Sequence, residues 1–311
     1  MAERPVVAVL GLGSVGGPFA LALRESGRYA SVVGWDPDFD AARQAQKHNV
    51  ADRYARRAPD AARDAALVFV ATGPAQFQET LAAVAPHLRP GAVVCSLMES
   101  HETAARIAAQ ALPASVSFVG GHPILAEPAD AAGAPSAPSA GVFREAVFCI
   151  APTASAHPDA VAYVTQVAES LGMQPFFVDP REHDAFFSAI GRLPAVLAAA
   201  LMRVVARERS WRELGRLAGG EFRHATALAD ADPPLQQEAL AAGREHLVRW
   251  LGAMVDELSG LRDALQDGRE PADFFASAAE ARRQWLRDRR VPPEVADLPA
   301  APPAPKRRLW F

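Results

Sequence analysis

The strongest constraint on the fold is an apolar run that meets three glycines near the start of the chain. Residues 6–10 read Val-Val-Ala-Val-Leu, which is typical of a buried strand, and three glycines follow at G-x-G-x-x-G spacing. In a dinucleotide site such glycines give a tight turn, a close approach to pyrophosphate and close helix–strand packing. The N–H groups that begin the next helix then face the phosphate, where the helix dipole favours negative charge. The residues predicted to line this cofactor loop are Gly11, Leu12, Gly13, Ser14, Val15 and Gly16.

A second apolar run supports this interpretation and predicts which cofactor binds. Residues 30–35 form this run and end at Asp36, 20 residues after Gly16. A carboxylate at that distance accepts hydrogen bonds from an adenosine ribose. Because it repels a 2′-phosphate, we expect NAD rather than NADP, unless Arg24 or Arg53 lies close enough to weaken the preference. A tight strand–helix turn with an ordinary surface Asp36 is the structural alternative.

The alternation of strand and helix patterns predicts the fold class of the first part of the chain. Apolar runs of strand length recur with helical patterns between them, at residues 6–10, 30–35, 65–71, 91–97, 115–119, 146–151 and 175–178. This rhythm predicts an α/β fold with a doubly wound Rossmann-type parallel sheet over residues 1–180. Ligands of such sheets bind beyond the carboxyl ends of the strands. We therefore expect the site in three loops, Thr72-Gly73, Met98-Glu99 and Gly120-Gly121-His122, with the first beside the cofactor.

The second part of the chain has a different character. Helical periodicity runs through 183–206, 235–264 and 274–288, which predicts an all-helical second domain over residues 181–290. Residues 193–205 are apolar except for Arg203, so we expect this helix to be buried on most sides and to pack against another subunit. The Ala/Pro-rich residues 126–141 and 291–311 are predicted to be a mobile surface loop and a flexible tail.

Composition excludes several classes of function. The chain has 311 residues, which suits two domains, and its net charge of −4 argues against a nucleic-acid partner. Its two cysteines, Cys95 and Cys149, stand in apolar runs and are expected to be buried free thiols of a reducing compartment. The sequence contains no metal-ligand spacing, no signal peptide and no apolar run of transmembrane length. We expect a soluble cytoplasmic protein with a small-molecule substrate and no membrane partner.

Four motifs in this order resemble the prephenate/arogenate dehydrogenase family over roughly residues 5–288. They are the nucleotide fingerprint, Phe-Val-Gly-Gly-His-Pro at 118–123, Val-Asp-Pro-Arg-Glu-His-Asp at 178–184 and Gly-Gly-Glu-Phe-Arg at 219–223. The resemblance implies NAD(P)-dependent oxidation of a cyclohexadienol hydroxyl, with decarboxylation driving aromatisation. It also implies a Rossmann domain followed by a helical domain that forms a homodimer.

The resemblance gives His122 a catalytic role. In such enzymes the histidine of Gly-Gly-His-Pro binds the substrate hydroxyl and assists its deprotonation as hydride leaves. The chemistry needs a neutral imidazole near the carbinol. A loop histidine that caps backbone carbonyls is the alternative interpretation of His122.

Departures from the family pattern concern the substrate. Where the family usually has Ser-His-Leu-Pro-His, residues 191–195 read Gly-Arg-Leu-Pro-Ala, and where it has a second, carboxylate-binding arginine, Ala227 stands. Arg192 is a candidate replacement for that arginine. The family serine that contacts the hydroxyl becomes Glu99, unless the register slips by one and Ser100 serves. A carboxylate at Glu99 would repel a dicarboxylate and favour an amino group.

Other charged residues and the function itself stay open at this stage. His183 and Asp184 have either an active-site or a structural role, and Arg223 is either a substrate anchor or a helix cap. Three hypotheses fit the pattern: a dehydrogenase with altered substrate specificity, a housekeeping prephenate dehydrogenase of tyrosine biosynthesis, and a non-catalytic NAD-binding protein. The first agrees best with a retained cofactor loop and changed substrate residues.

Overall fold

The computed structural model describes residues 4–125, 138–230, 236–237, 240–241 and 243–288. The predicted tail, 291–311, and most of the predicted loop, 126–141, lie outside the described residues. By its internal contacts the chain divides after Leu251, and the sheet and the site described below belong to the first unit. The domain boundary predicted at residue 180 stays a prediction.

The first unit is built on one eight-stranded sheet in the order β3-β2-β1-β4-β5-β6-β7-β8. Its strands are β1 Val6–Leu10, β2 Ser31–Trp35, β3 Arg53–Tyr54, β4 Leu67–Val70, β5 Val93–Ser96, β6 Ser117–Ile124, β7 Val147–Pro152 and β8 Gln174–Phe177. Strands β3 to β6 in this order pair in parallel, as the alternation of apolar runs predicts.

Helices cover both faces of the sheet and form the two halves of its core. They are α1 Gly16–Glu25, α2 Phe39–Lys47, α3 Ala58–Ala62, α4 Pro74–Val84, α5 His101–Ala111 and α6 Pro158–Ser170. On one face Phe19 of α1 packs edge-on against Phe69 of β4, with ring centroids 4.7 Å apart. On the other, Phe77 of α4 and Ile107 of α5 are buried in a second cluster. Both faces are therefore apolar, which is typical of a buried parallel sheet.

Two features of the sheet differ from the prediction. Strand β7 runs antiparallel to β6, and β8 is parallel to β7, so the sheet is mostly but not wholly parallel. The described part of the β6–β7 connection contains only a 3₁₀ turn, Ala140–Phe143. The edge strand β3 and the short helix α3 were not predicted, because neither is long enough to carry an apolar period.

Strand β6 also corrects the prediction that His122 lies in a loop. The strand continues through Gly120, Gly121 and His122, which pair with Ala151, Ile150 and Cys149 of β7. The two glycines serve close packing rather than a turn: a Cβ at Gly121 would lie 2.6 Å from Cζ of Phe148, and one at Gly120 would lie 2.6 Å from Nδ1 of His101. Side chains from both sides of the strand therefore pack directly against the backbone of the two glycines.

The rest of the described chain is helical. Its elements are α7 Pro180–Phe187, a π-helical turn Ser188–Arg192, α8 Leu193–Val205, α9 Trp211–Leu217, α10 Gly220–Thr226, a 3₁₀ turn Ala227–Asp230, α11 Arg244–Gln266 and α12 Ala272–Asp288. Helix α11 crosses the division after Leu251, and α12 belongs to the second unit.

Helix α8 is covered only in part by the described residues of its own chain. Only Leu193 and Ala198 of this helix are buried, whereas Val204 is 65% exposed. By length and composition alone the continuous helical run Pro180–Val205 could cross a membrane. The sequence predicted that this segment is buried on most sides, but the described residues of one chain do not bury it to that extent.

Candidate active site

The glycine loop forms a cradle between β1 and α1. Gly11 has a φ of +96°, and a Cβ there would lie 2.7 Å from the backbone of Ala71; a Cβ at Gly16 would overlap the carbonyl oxygen of Gly11. Gly13, by contrast, faces open space. Val15 at the N-cap of α1 makes no side-chain capping bond. Gly17 donates its N–H to the Gly13 carbonyl at 3.0 Å and Pro18 has no N–H, so Gly16 supplies the helical N–H that is left for an anion. The loop fits a pyrophosphate.

Asp36 follows β2 and is held beside this cradle. Its carboxylate accepts hydrogen bonds from the backbone N–H of Leu12 and, at 2.7 Å, from that of Asp38. Burial raises the pKa of Asp36, and the two backbone bonds oppose this shift. Arg24 lies 3.8 Å from Asp52, and Arg53 donates to Ser31, so neither of these predicted modifiers pairs with Asp36. The arrangement fits a ribose diol better than a 2′-phosphate.

Unpaired polar groups collect at the carboxyl edge of the sheet. Among the described residues, seven buried side-chain nitrogen or oxygen atoms have no hydrogen-bond partner, and five belong to Thr72, Ser96, His101 and Arg192. Thr72 and Ser96 stand at the ends of β4 and β5, and Gly73 is the N-cap of α4. Because buried polar groups are normally paired, this cluster indicates a place where a ligand supplies the missing partners.

His122 projects from β6 into a group of aromatic rings. Its side chain is 7% exposed, and its ring packs edge-on against Phe187 with centroids 4.6 Å apart. Burial, His183 and Arg192 lower the pKa of His122 to about 3. The imidazole is therefore neutral at physiological pH, which is the state that proton abstraction requires.

His122 is hydrogen-bonded to the first turn of α7. Its Nδ1 lies 3.1 Å from Nε2 of His183, and Nδ1 of His183 lies 3.1 Å from Oδ1 of Asp184. The carboxylate of Asp184 accepts from the backbone N–H of His101 at 2.8 Å and of Glu102 at 3.2 Å. Asp184 therefore caps helix α5, which is also the helix that Ser100 precedes.

Since Asp184 caps α5, the side chain of Ser100 is free to serve another residue. Ser100 occupies the N-cap position but makes no capping bond, and its Oγ accepts a 2.6 Å hydrogen bond from Nη2 of Arg192. Arg192 also donates to the Glu99 carbonyl at 3.2 Å and to Ser188 Oγ at 3.0 Å. Its guanidinium lies 5.7 Å from the centroid of Phe187, the ring that also contacts His122. The structure thus brings Arg192, Ser100 and Glu99 together beside His122.

Arg192 and Glu99 bring opposite charges to this part of the site. Arg192 is buried, which lowers its pKa, while Asp184 and Glu99 act in the opposite direction. The Glu99 side chain reaches solvent, yet the protein around it raises its pKa, and Arg192 and His183 partly offset that rise. The site therefore contains a buried cation, Arg192, and an exposed carboxylate, Glu99, that interact electrostatically.

Arg223 is not brought to this cluster. It lies exposed on α10, and its side chain makes no hydrogen bond or ion pair with any described residue. Three residues of the cluster were missed at the sequence level: His101, Phe187 and Ser188. The position of His101 directly after Ser100, at a strand end, was a usable signal, whereas Phe187 and Ser188 gave none.

Comparison with known proteins decides the family. The family model described as "Prephenate dehydrogenase, nucleotide-binding domain" matches residues 19–175, and the one described as "Prephenate dehydrogenase, dimerization domain" matches residues 179–279. The chain belongs to the prephenate dehydrogenase family. The first match begins after the glycine loop, so the role of that loop rests on its geometry.

Relatives in this family are distant but cover nearly the whole chain. Cyclohexadienyl dehydrogenase of Zymomonas mobilis is 25% identical over 92% of this chain and 98% of its own length. Prephenate dehydrogenase of Bacillus subtilis is 24% identical over 95% and 80%. The resemblance seen in the four motifs is confirmed, as is the predicted class, an oxidoreductase.

Solved structures agree on the fold. Prephenate dehydrogenase from Aquifex aeolicus, in complex with hydroxyphenyl propionate and NAD+, has a TM-score of 0.76 at 20% identity, covering 91% of this chain and 99% of that chain. Arogenate dehydrogenase of Synechocystis has a TM-score of 0.69 at 24% identity, covering 92% and 100%. The predicted fold class is therefore confirmed. Three findings identify NAD as the cofactor of this protein: its family membership, the cradle around Gly13 and the position of Asp36.

Proposed function

We propose that the chain is an NAD-dependent dehydrogenase of a cyclohexadienyl hydroxy acid that prefers a substrate with an amino group. The observation that carries this proposal is the meeting of Arg192, Ser100 and Glu99 beside His122. Arg192 and Glu99 stand where the family pattern differs, whereas His122 stands where it is kept. Cofactor and base are thus retained while the substrate contacts are changed.

His122 is the base of the proposed reaction. NAD, when bound, accepts the hydride from the carbinol carbon. His122 takes the hydroxyl proton, because a neutral buried imidazole offers a lone pair that water cannot easily reach. Where the substrate ring carries a carboxylate opposite the carbinol, as the family resemblance implies, its loss as CO₂ makes the ring aromatic.

Arg192 is the proposed anchor for a substrate carboxylate. Its Nε has no hydrogen-bond partner among the described residues, and Nη1 donates to Ser188 with one of its two hydrogens. These remaining donors suit a carboxylate, for which charge-assisted bonds to guanidinium are strong. Helix α8, which begins directly after Arg192, packs on the turn that starts at Ala227. We infer that the Arg192 cation takes over the role of the arginine that is absent at Ala227.

Glu99 is the proposed partner of a substrate ammonium. The Glu99 carboxylate is solvent-accessible, and Arg192 donates a hydrogen bond to the backbone carbonyl of Glu99. A zwitterionic amino acid side chain would pair its carboxylate with Arg192 and its ammonium with Glu99. An oxo acid in the same place leaves Glu99 facing no positive group, which favours arogenate over prephenate.

We further propose a cytoplasmic homodimer formed through the helical region. Ile190 and Val204 are each 65% exposed, and Val248 is 63% exposed. Such apolar surface indicates a protein contact rather than solvent. Buried polar residues along the run 180–205, among them His183 and Arg192, argue for a protein partner rather than lipid. Sedimentation analysis should give a mass of two chains; a monomer at micromolar concentration would contradict this proposal.

Steady-state turnover tests the proposed activity. NADH formation is measured with prephenate and with L-arogenate, and we expect the larger kcat/KM with arogenate. Glu99→Gln should reduce this preference about two- to fivefold, the size of an exposed ion pair, whereas the exposed neighbour control Glu102→Gln should not. His122→Asn should lower kcat by about 10²- to 10⁴-fold.

Each alternative has its own outcome in this experiment. Equal or better turnover of prephenate, with no effect of Glu99→Gln, would indicate a housekeeping prephenate dehydrogenase. Tight NAD binding without turnover of either compound, or of a broader panel of hydroxy acids, would indicate a non-catalytic family member. Unchanged kcat in His122→Asn would remove His122 from the mechanism.

A further inference from the structure

Three buried side chains form a continuous hydrogen-bonded chain that ends at the proposed base. Asp184, His183 and His122 are 1%, 3% and 7% exposed. The bonds between Asp184 and His183 and between His183 and His122 are both 3.1 Å long. Strand β6 supplies His122, whereas helix α7 supplies the other two residues. The first question is where the protons of this chain lie.

Asp184 fixes the first proton. Its carboxylate accepts from the backbone N–H groups of His101 and Glu102 at the start of α5, and the dipole of that helix favours the ionised form. An ionised carboxylate can only accept hydrogen bonds. The bond to His183 therefore requires a hydrogen on Nδ1 of His183.

The second proton follows from the first. His183 is enclosed by neutral rings, with centroids 4.0 Å away at His101 and 5.8 Å away at Phe187. In its neutral form, with Nδ1 protonated, its Nε2 carries a lone pair and accepts from Nδ1–H of His122. His122 then has its own lone pair on Nε2, the nitrogen that faces away from this chain.

We propose that Asp184 and His183 are positioning residues that hold His122 in the tautomer with a basic Nε2 and take up the proton it removes. This inference rests on the proposed role of His122 as the base. It assigns an active-site duty to His183 and Asp184, for which the sequence left a structural role equally open.

The proton balance of the step is simple. Nε2 of His122 gains the substrate hydroxyl proton as hydride leaves the carbinol carbon, and Nδ1 of His122 passes its own proton to Nε2 of His183. The positive charge ends on His183, against the Asp184 carboxylate. Left on His122, the charge would be buried and would face the Arg192 guanidinium; burial, His183 and Arg192 together lower the pKa of His122 to about 3, and burial is the largest cause. The chain of bonds thus removes the charge from an unfavourable place.

Nuclear magnetic resonance of the full-length protein with ¹⁵N-labelled histidine tests the tautomer without any turnover. At pH 7.5 and without ligands, we expect His122 to be protonated on Nδ1 and unprotonated on Nε2, and His183 to be protonated on Nδ1. Resonances are assigned with His122→Asn and His183→Gln. A hydrogen on Nε2 of His122 would overturn the proposal, even if the chain proved to be an active dehydrogenase.

Two variants test the proton transfer. His183→Gln keeps the Asp184 cap and an acceptor for His122 but cannot take up a proton; Asp184→Asn removes the charge that stabilises the protonated ring. In both we expect kcat to fall about 100-fold or more, KM to change less than threefold, and the acidic limb of the kcat/KM pH profile to move to lower pH. Glu182→Gln removes an exposed charge from the same helical turn and is the matched control.

The outcomes separate this inference from the proposed function. Wild-type kcat and an unmoved acidic limb in both variants would refute the relay while leaving His122 as the base. If Asp184→Asn fails to fold, because it loses the cap of α5, His183→Gln alone decides. If the wild type turns over no substrate, the proposed function fails and the tautomer measurement decides this inference by itself.

Discussion

Nη2 of Arg192 lies 2.6 Å from Oγ of Ser100, although the two residues are 92 positions apart in sequence. This bond ties the start of the helical region to the loop between β5 and α5. Asp184 makes a second tie to the same place, because it caps α5 from α7. The helical region therefore contributes directly to the site and does more than offer a surface to another subunit.

Two glycines of the cofactor loop should separate binding from folding. Gly13→Ala places a methyl group in open space, so we expect an unchanged Tm and a weaker affinity for NAD, since the methyl group occupies the space of the pyrophosphate. Gly16→Ala forces a methyl group against the Gly11 carbonyl, so we expect a lower Tm as well. Thermal unfolding and NAD titration of both variants check this. Equal losses of Tm would contradict the interpretation of Gly13.

Arg192→Lys should cost both stability and substrate affinity. A lysine keeps the charge but cannot donate simultaneously to Ser100, Ser188 and the Glu99 carbonyl. Unpaired buried acceptors should lower the free energy of unfolding by about 1–3 kcal/mol. We expect KM to rise more than kcat falls. Urea unfolding and steady-state kinetics measure the two effects, with the exposed Arg181→Lys as control; a wild-type KM would exclude Arg192 as the anchor.

The preference for an amino substrate should depend on pH through Glu99. Its pKa is raised by the surrounding protein, so the carboxylate becomes neutral at a higher pH than an ordinary glutamate does. Only the ionised form attracts an ammonium group. The kcat/KM ratio of arogenate to prephenate should therefore fall as the pH is lowered from 8 to 5 and stay flat in Glu99→Gln. A ratio with the same slope in both proteins would assign the effect to another group.

The buried histidines should make the fold sensitive to acid. Burial holds the pKa of His101 and of His122 below the ordinary value of 6.5, so the unfolded chain binds protons that the native state does not. Stability from these rings is complete above about pH 6.5 and is lost as the pH falls toward their low native pKa values, by about 1.4 kcal/mol per pH unit for each ring. Urea unfolding at pH 7, 6 and 5 should show this slope.

His101→Gln should remove the contribution of the His101 ring to this pH dependence of stability, because glutamine stays neutral between pH 5 and pH 7. The exposed His87→Gln is the matched control and should leave the slope as it is in the wild type. A slope that survives in His101→Gln would mean that the acid sensitivity arises elsewhere in the chain.

Most of the sheet could be predicted from the sequence because its strands are buried on both faces and form continuous apolar runs. Strand β3 and helix α3 escaped because they are too short to show a period. The glycines before His122 were expected in a loop, but they lie in β6, where the close packing of Phe148 and His101 requires them. That difference depends on neighbours distant in sequence, which a local pattern cannot show.

The candidate site was predictable only in part, for a similar reason. His122, Glu99, Ser100 and Arg192 were found by their places in motifs, and the structure brings them together. The capping of α5 by Asp184 is a contact over more than 80 residues of chain, so Ser100 would be read locally as the cap. Arg223 shows the converse, since a motif match did not place it near the others.

The extension of β6 through His122 has a consequence for how such a protein can diversify. His122 stands on backbone that is bonded to β7, so its position is as firm as that of the core. Arg192 is the last residue of a π-helical turn, and Glu99 lies in a loop; both can be exchanged without disturbing the sheet. The residue proposed for the reaction and the residues proposed for selectivity therefore lie on separate parts of the fold. Such a protein can change its substrate during evolution while it keeps its reaction.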